Sequence, residues 1–425
     1  MNRCRLIVSA AGLVCAITAA QAHAQLRVLL ADRTAEKLWT LTDRNNDGTI
    51  DASEIGIFYD ASNLSGLPRP INPNMIGVTR SGDVFMGDQD SSVRHWLLLR
   101  DRDHNGDALA EGEALVAANA TNAGGFSFAF PVGFAEAPDG RILLVNAGNT
   151  FGPDQVFACR DLNGDADFLD EGEIAGLVTI NGFGANGPLS PQELAFGADG
   201  AMYLRNSTTN NHGIFRLRDN DASGFIDAAD EYALFWGAGN APGIGASAGF
   251  AVEPDPTRAR GFYILQTATG SLDQLIRCQD LNADNDALDE GESAIVFSTA
   301  EAGFTGIDVL ALPAADGRVL LSENSGPRII SLRDIDGDGL FSSPGERSDF
   351  LPAGLGVLAA RAMVILYCPA DFNQDLRTDP DDLADFIACY FAPGSEPCDR
   401  ADYDRSGTVD PDDLSDFIAA YFQPC

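Results

Sequence analysis

The stretch Asp43-Arg44-Asn45-Asn46-Asp47-Gly48-Thr49-Ile50-Asp51-Ala52-Ser53-Glu54 decides how this chain is read. It has the form D-x-N-x-D-G-x-I-D-x-x-E. Side-chain oxygens stand at positions 1, 3, 5 and 9, and a carboxylate at position 12 can close on a metal with both oxygens. Glycine falls where the backbone must turn sharply, so the whole pattern is that of a twelve-residue calcium loop. Its candidate ligands are Asp43, Asn45, Asp47, Thr49 (through its carbonyl), Asp51 and Glu54.

Variants recur at Asp101, Asp161, Asp219, Asp280 and Asp334, at steps of 58, 60, 58, 61 and 54 residues. A long, near-constant period is the mark of a propeller or a solenoid. The content of one period separates the two. Val132 to Ala137 reads as a strand, Asp139-Gly140 as a hairpin turn, Arg141 to Val145 as a second strand and Gln155 to Arg160 as a third. The acidic loop follows, and Ile174 to Ile180 makes a fourth strand. The order repeats around Ser81-Gly82, Asp199-Gly200, Arg260-Gly261 and Asp316-Gly317. Four short antiparallel strands per period describe a blade. The expectation is an all-β, six-bladed propeller over residues 25–367, with a calcium loop between the two outer strands of every blade.

The chain ends support closure. The first blade has Leu26 to Leu30, Leu38 to Thr42 and Ile55 to Tyr59 but no inner strand, and Val357 to Tyr367 is left over to supply it. Pairing the two ends hides sheet edges. The loops would share one face, each ion tying the end of its own hairpin. The connections Ala61 to Asn74, Ala118 to Phe130, Asn181 to Ser190 and Gly237 to Gly249 would share the other, where ligand-binding loops are expected.

The later loops depart from the first in one consistent way. The second offers Asp101, Asp103, Asn105, Asp107 and Glu113. The third offers Asp161, Asn163, Asp165, Asp167 and Glu173, and the fifth Asp280, Asn282, Asp284, Asp286 and Glu292. The sixth offers Asp334, Asp336, Asp338 and Glu346; the fourth offers Asp219, Asp221, Ser223, Asp227, Asp230 and Glu231. In these five the closing glutamate stands at position 13. Ala166 and Asn285 replace the turn glycine. Asparagine tolerates a left-handed backbone and alanine does so poorly, so Gly164 is expected to shift the third turn. No helix flanks these loops, so their role reads as structural.

Residues 368–425 form a different module. Asp371 to Leu383 and Asp402 to Leu414 repeat with an offset of 31. Each leads into a helical pattern, Leu383, Phe386, Ile387, Tyr390, Phe391 and then Leu414, Phe417, Ile418, Tyr421, Phe422. The candidate ligands are Asp371, Asn373, Asp375, Asp379 and Asp382, then Asp402, Asp404, Ser406, Asp410 and Asp413. A duplicated calcium loop and helix, closed by Asp at position 12, resembles a dockerin, and the cysteine-flanked form is similar to the dockerin-like tails of exported planctomycete proteins. The resemblance covers about 55 residues. It implies a small α domain with two calcium ions and a cohesin-like or cell-surface partner. Leu376 departs from the turn glycine, and Pro-Asp stands where cellulosomal dockerins often carry small hydroxyl pairs. So small a core needs staples. Cys368 with Cys425 and Cys389 with Cys398 is one arrangement, other pairings staying open. Cys159 and Cys278 fall in blades that are not neighbours and are expected not to pair with each other.

Composition bounds the rest. Residues 1–24 have the form of an export leader: Arg3 and Arg5, an apolar run from Leu6 to Ala20, then Ala22-His23-Ala24. The protein is expected to be exported, whether secreted, periplasmic or on the cell surface, with no membrane span. Net charge is -36 and Lys37 is the only lysine, which leaves no footprint for nucleic acid. With up to eight Ca2+ sites, metal binding accounts for many of the acids. Outside the leader the histidines are His95, His104 and His212. No nucleophile–histidine or phosphate-loop motif accompanies them, so no catalytic residue is assigned. Two functions follow. One is a non-catalytic binding or structural propeller with a glycan or protein ligand, assembled or tethered through its tail. The other is a polysaccharide-acting hydrolase or lyase carrying a dockerin.

Overall fold

The computed structural model describes the chain apart from residues 1–21, 24–25, 91, 93, 104, 148–153, 180–189, 198, 208–211, 238–248, 256–259, 268–272, 303–305, 312–316, 324–327, 369, 374–376, 393–397, 404–407 and 423–425. Most of the leader, most of the connection after the third blade and most of that after the fourth, His104, Asp375, Asp404, Ser406 and Cys425 lie outside the described residues.

Six four-stranded antiparallel sheets follow one another around a ring, so the expected six-bladed propeller is the fold. Blade 3 shows the plan, with Pro131–Glu136 innermost, then Ile142–Asn146, Gln155–Cys159 and Ile174–Thr179 outermost. Middle strands such as Val84–Asp88, His95–Leu99 and Ile142–Asn146 are buried along their whole length. Each is sandwiched between two neighbouring blades, so both faces must be apolar and the run reads as continuous rather than alternating. The core is correspondingly divided among the gaps between blades. Phe85, Trp96 and Leu98 of blade 2 pack on Phe134, Leu144 and Phe157 of blade 3; Tyr203 and Phe235 of blade 4 pack on Phe262 and Ile264 of blade 5. Phe85 and Phe134 stack at 5.1 Å, and Tyr203 and Phe262 lie 4.2 Å apart. Toward the axis the inner strands come closer still. A Cβ on Gly77 would sit 2.0 Å from the Phe134 ring, so only glycine fits there.

The ring closes as the chain ends predict. Ala360–Leu366 becomes the inner strand of blade 1 and pairs with Arg27–Asp32, from Leu366 opposite Arg27 to Ala360 opposite Asp32. The carboxylate of Asp32 accepts the amides of Leu358, at 2.7 Å, and Ala359. The same device recurs at the end of the second strand in other blades. Asp88 accepts Ile71 and Asn72, Asn146 accepts Ala129 and Phe130, and Asn206 accepts Ser190. These four side chains are fully buried, and each satisfies amides that would otherwise be orphaned where the chain enters an inner strand.

After the ring comes a small helical region. Helices Pro380–Phe391 and Pro411–Tyr421 pack through Phe386 and Phe417, stacked at 4.0 Å, with Phe372 edge-on to both. Cys389 and Cys398 form a disulfide, and Cys368 is disulfide-bonded. Cys159 and Cys278 are buried and free. Ala22–His23, within the stretch that reads as a leader, pairs with Arg377–Thr378. Among the described residues, no helix is long and apolar enough to cross a membrane.

Candidate metal centres

Each acidic loop of the propeller joins the third and fourth strands of its blade, as the sequence predicts. The first-position aspartate organises the turn. Asp43, Asp101, Asp161, Asp219, Asp280 and Asp334 each accept the amide of position 6 at 2.8–3.1 Å. Position 6 has a left-handed backbone in all six. Ala166 adopts it itself, at φ 72°, as does Asn285 at 77°. The expected shift of the third turn to Gly164 does not occur: Gly164 is also left-handed, and the turn at Ala166 stays in place. The side-chain cage around Asp161 outweighs the cost of a left-handed alanine.

The closing glutamates show how the extra residue is absorbed. Glu54, at position 12, accepts the amides of Arg44 and Asn45 on one oxygen and that of Asp51 on the other. Glu113, at position 13, accepts Arg102 and Asp103 on one oxygen and Ala110 on the other. Glu173, Glu231, Glu292 and Glu346 repeat the arrangement. All six are only 1–3% exposed. The added residue is a left-handed glycine, Gly112, Gly172, Gly291 or Gly345, and in the fourth loop Asp230. The carboxylate therefore reaches the same place from one residue further on. Asp230 is exposed, with its carbonyl taken by the Asn220 side chain, and Glu231 is the residue turned inward.

These placements bring carboxylate oxygens together. Asp334, Asp336, Asp338 and Glu346 have ligand atoms within 4.8 Å of one another. So do Asp101, Asp103 and Glu113, Asp161, Asp165 and Glu173, and Asp219, Asp221 and Glu231. Among the described residues, no such carboxylate trio forms in the first and fifth loops. In the first, third and fifth loops alike, the position-3 amides of Asn45, Asn163 and Asn282 donate to Asp47, Asp165 and Asp284. Asp51 is engaged with both the amide and the hydroxyl of Ser53. Asp107, Asp167 and Asp286 accept the amides of Leu109, Leu169 and Leu288. Crowding shows in the titration. Burial raises the pKa of Asp43, against the amides of Gly48 and Asp47, and the charges of Glu54 and Asp47 raise it further. Burial likewise raises Asp167 and Asp286, helped by neighbouring carboxylates. All-oxygen donor sets of this kind fit a hard divalent cation rather than a soft one.

One feature of these loops lies beyond the sequence expectations. The amide at position 8 leaves its own blade and donates to the outer strand of the preceding one. Ala108 donates to Phe58, Phe168 to Ala117, Ile226 to Leu177, Ala287 to Phe235 and Phe341 to Val296, all at 2.7–3.0 Å. Ile50 donates to Phe350 at 2.6 Å, across the ring closure. All six position-8 side chains are buried. The loops therefore join neighbouring blades as well as closing their own hairpins. Arg27 of blade 1 donates to the Gly106 carbonyl in the loop of blade 2, and Arg277 of blade 5 to Gly339 in that of blade 6, at 2.9 Å. The expected separation of two rims is also incomplete. Ser65, in the connection after blade 1, accepts the amides of Gly112 and Ala114 beside the second loop. The other in-blade clamps pair the turn between strands one and two with the third strand, as in Arg100 with Asp83 and Arg216 with Asp199. In blade 5 this turn places Arg260, not Gly261, at positive φ, and Arg260 pairs with Asp280.

In the tail, Asp382 accepts Asn373 at position 3 and Asp379 at position 9, and Asp413 accepts Asp410. Asp371, Asp382 and Asp413 are fully buried. Asp379 also caps the first helix. The histidines take no part in these loops among the described residues: His95 is buried at the start of a strand, where burial lowers its pKa, and His212 precedes another strand.

The sequence matches no protein-family model and no curated protein. Solved structures do resemble the fold. A nidogen/laminin complex shares it at a TM-score of 0.50 and 11% identity, over 80% of this chain and 98% of that one. TolB from Acinetobacter baumannii aligns at 0.48 and 11% identity, over 81% and 67%. XC5397 from Xanthomonas campestris, described as a gluconolactonase, aligns at 0.39 and 15% identity, over 64% and 73%. At these identities the likeness is one of fold.

Proposed function

We propose that this is an exported, non-catalytic propeller whose blades are stapled to one another by calcium, serving as a binding or structural protein. Residues 1–24 act as its leader, 25–367 as the propeller and 368–425 as a dockerin-like domain through which it is assembled or tethered. The observation that carries the reading is the recurrence, in all six loops, of an inward closing glutamate together with a position-8 amide bound to the preceding blade. Calcium would be held by the oxygens of positions 1, 3 and 5, the position-7 carbonyl and the closing carboxylate. When bound it supplies the positive charge that lets these buried carboxylates stay ionised together. The protein's own part is to hold the loop against its neighbour, so that a filled site favours the closed ring. The tail would take two further ions and present its surface to a cohesin-like or cell-surface partner. A glycan or protein would bind the propeller.

Three experiments test this. Calorimetry with Ca2+ and after EGTA should show a large fall in the melting transition; an unchanged transition would sink the structural-calcium reading. A glycan array and a turnover screen on the same sugars should show binding without turnover. Turnover abolished by one carboxylate change outside the loops would replace it with an enzyme. Mass analysis of the exported protein should find Gln25 at the N-terminus.

A further inference from the structure

The seam between ring and tail holds a feature that the metal loops do not explain. The closing strand ends at Leu366, and Cys368 is already packed in the tail with Ala370, Ala420 and Tyr421, so only Tyr367 separates them. Residues of the tail and of blades 1 and 2 meet at this join. A cavity of about 80 Å³ lies in the seam, lined by Arg27 and Arg80 from the propeller and by Arg400 from the tail. Asp101 and Asp402 are the acids on its wall, so three arginines face two carboxylates there in a chain of net charge -36, with the Glu136 carboxylate close by on the Arg80 amide. Phe58, Tyr367 and Tyr403 supply much of the remaining surface.

Arg27 and Arg400 show how the arginines are held before any ligand arrives. Arg27 is bonded to the Gly106 carbonyl. Arg400 donates to the carbonyls of Asp371 and Phe372 and lies over the Phe372 ring, 5.4 Å from its centre. Ordered guanidinium groups have little entropy left to lose on binding, and their forked donors match a planar or tetrahedral oxyanion. Aromatic walls lower the local polarity and strengthen such contacts. A second cation gains nothing among three arginines, and the volume admits a small charged group rather than a whole sugar ring. We propose that this seam binds a small oxyanion, carboxylate or sulfate, either free or as the terminal group of an acidic glycan.

The site adjoins the loops, since Asp101 and Asp402 are first-position residues, but none of its three arginines belongs to a metal-ligand set. The test uses the full-length protein in Ca2+ at constant ionic strength. Sodium sulfate is titrated against matched sodium chloride, with melting temperature and calorimetric heat as readouts. A saturable stabilisation by sulfate is expected, and Arg80→Gln should weaken binding by about tenfold or more, the loss typical of one charge-assisted contact. Arg80→Lys keeps the charge without the fork and should fall between the two. A sulfated oligosaccharide binding more tightly than sulfate, and its unsulfated form not binding, would identify the group as glycan-borne; equal affinity would identify a free anion. Selenate soaked into crystals should place selenium between Arg27, Arg80 and Arg400. No saturable effect, an equal effect in Arg80→Gln, or selenium only elsewhere would overturn the proposal. Repeating the titration in EGTA distinguishes two forms of the site: sulfate binding that survives chelation shows it standing without calcium, and binding that needs Ca2+ yet is still weakened by Arg80→Gln shows it standing on filled loops.

Discussion

The acidic loops of the ring and those of the tail share one local design and differ in what they hold. In the first propeller loop, Glu54 gathers the amides of positions 3 and 9; in the tail, Asp382 gathers the same two. After that the two part. In the tail the loop runs straight into a helix, whose first turn Asp379 caps, and the closing carboxylate is part of that helix. In the ring no long helix follows, and the free amide of position 8 crosses to the neighbouring blade. The lesson is that such a loop stabilises whatever its eighth residue and its exit strand are packed against. In the first tail loop the eighth residue, Thr378, pairs with Ala22 and the exit is a helix. In the ring the eighth residue reaches across every gap between blades, the closing one included.

Chelation should break the comparison most clearly. Each filled site is expected to contribute about 0.4–1.4 kcal/mol by mass action at 1 mM Ca2+, so the ring, with more loops, should lose the most. Hydrogen exchange would then show the amides of Ile50, Ala108, Phe168, Ile226, Ala287 and Phe341 losing protection in EGTA. If only the tail amides respond, the ring loops are ordinary acidic turns. Next comes Phe341→Ala, which empties a buried position-8 site. A loss of about 3–5 kcal/mol is expected in chemical denaturation, with Ala108→Ser, which adds only a hydroxyl, as a milder comparison. A loss within measurement error for Phe341→Ala would show that the cross-blade dock carries little stability.

Reduction should sharpen the contrast from the other side. Opening the Cys389–Cys398 bridge should cost the tail about 2–3 kcal/mol and leave the ring's transition in place, because Cys159 and Cys278 are free. A ring transition that moved with dithiothreitol would join the two regions more tightly than described. The smallest effect belongs to clamps inside one blade. Burial raises the carboxyl of Asp199, but the hydrogen bond from Arg216 and the amide of Ala201 outweigh it, and its pKa is lowered in the folded state. The stability it contributes is present above the ordinary carboxylate pKa and is lost as pH falls through the lower folded value. Asp199→Asn should flatten that acid limb by less than about 1 kcal/mol; an unchanged limb would assign the pair no role.

Several of these features were legible before any coordinates. The spacing of Asp43, Asp101, Asp161, Asp219, Asp280 and Asp334 marks six blades, and the leftover segment near Ala360–Leu366 marks the closure. Position-1 and closing carboxylates are legible too, because their partners lie within about a dozen residues and the pattern is local. Ala166 departs from expectation because backbone propensity does not include the cage that Asp161 builds around it. At Arg260 the left-handed residue stands beside Gly261, the residue whose type suits the turn. The Asp32, Asp88, Asn146 and Asn206 caps do have a local signal, an amide or acid at the end of the second strand of the blade.

The sequence by itself determined the repeat, the blade plan and the acidic loops, because each depends on alternation, turn chemistry or hydrogen bonds between near neighbours. Only the tertiary structure decided that the Ala108 amide ends on Phe58 and that of Ile50 on Phe350, and that Arg27, Arg80 and Arg400 meet at one seam. Those contacts join residues tens to hundreds of positions apart. They depend on how far each twisted sheet swings its outer strand toward the next blade, and no local pattern of residues records that angle.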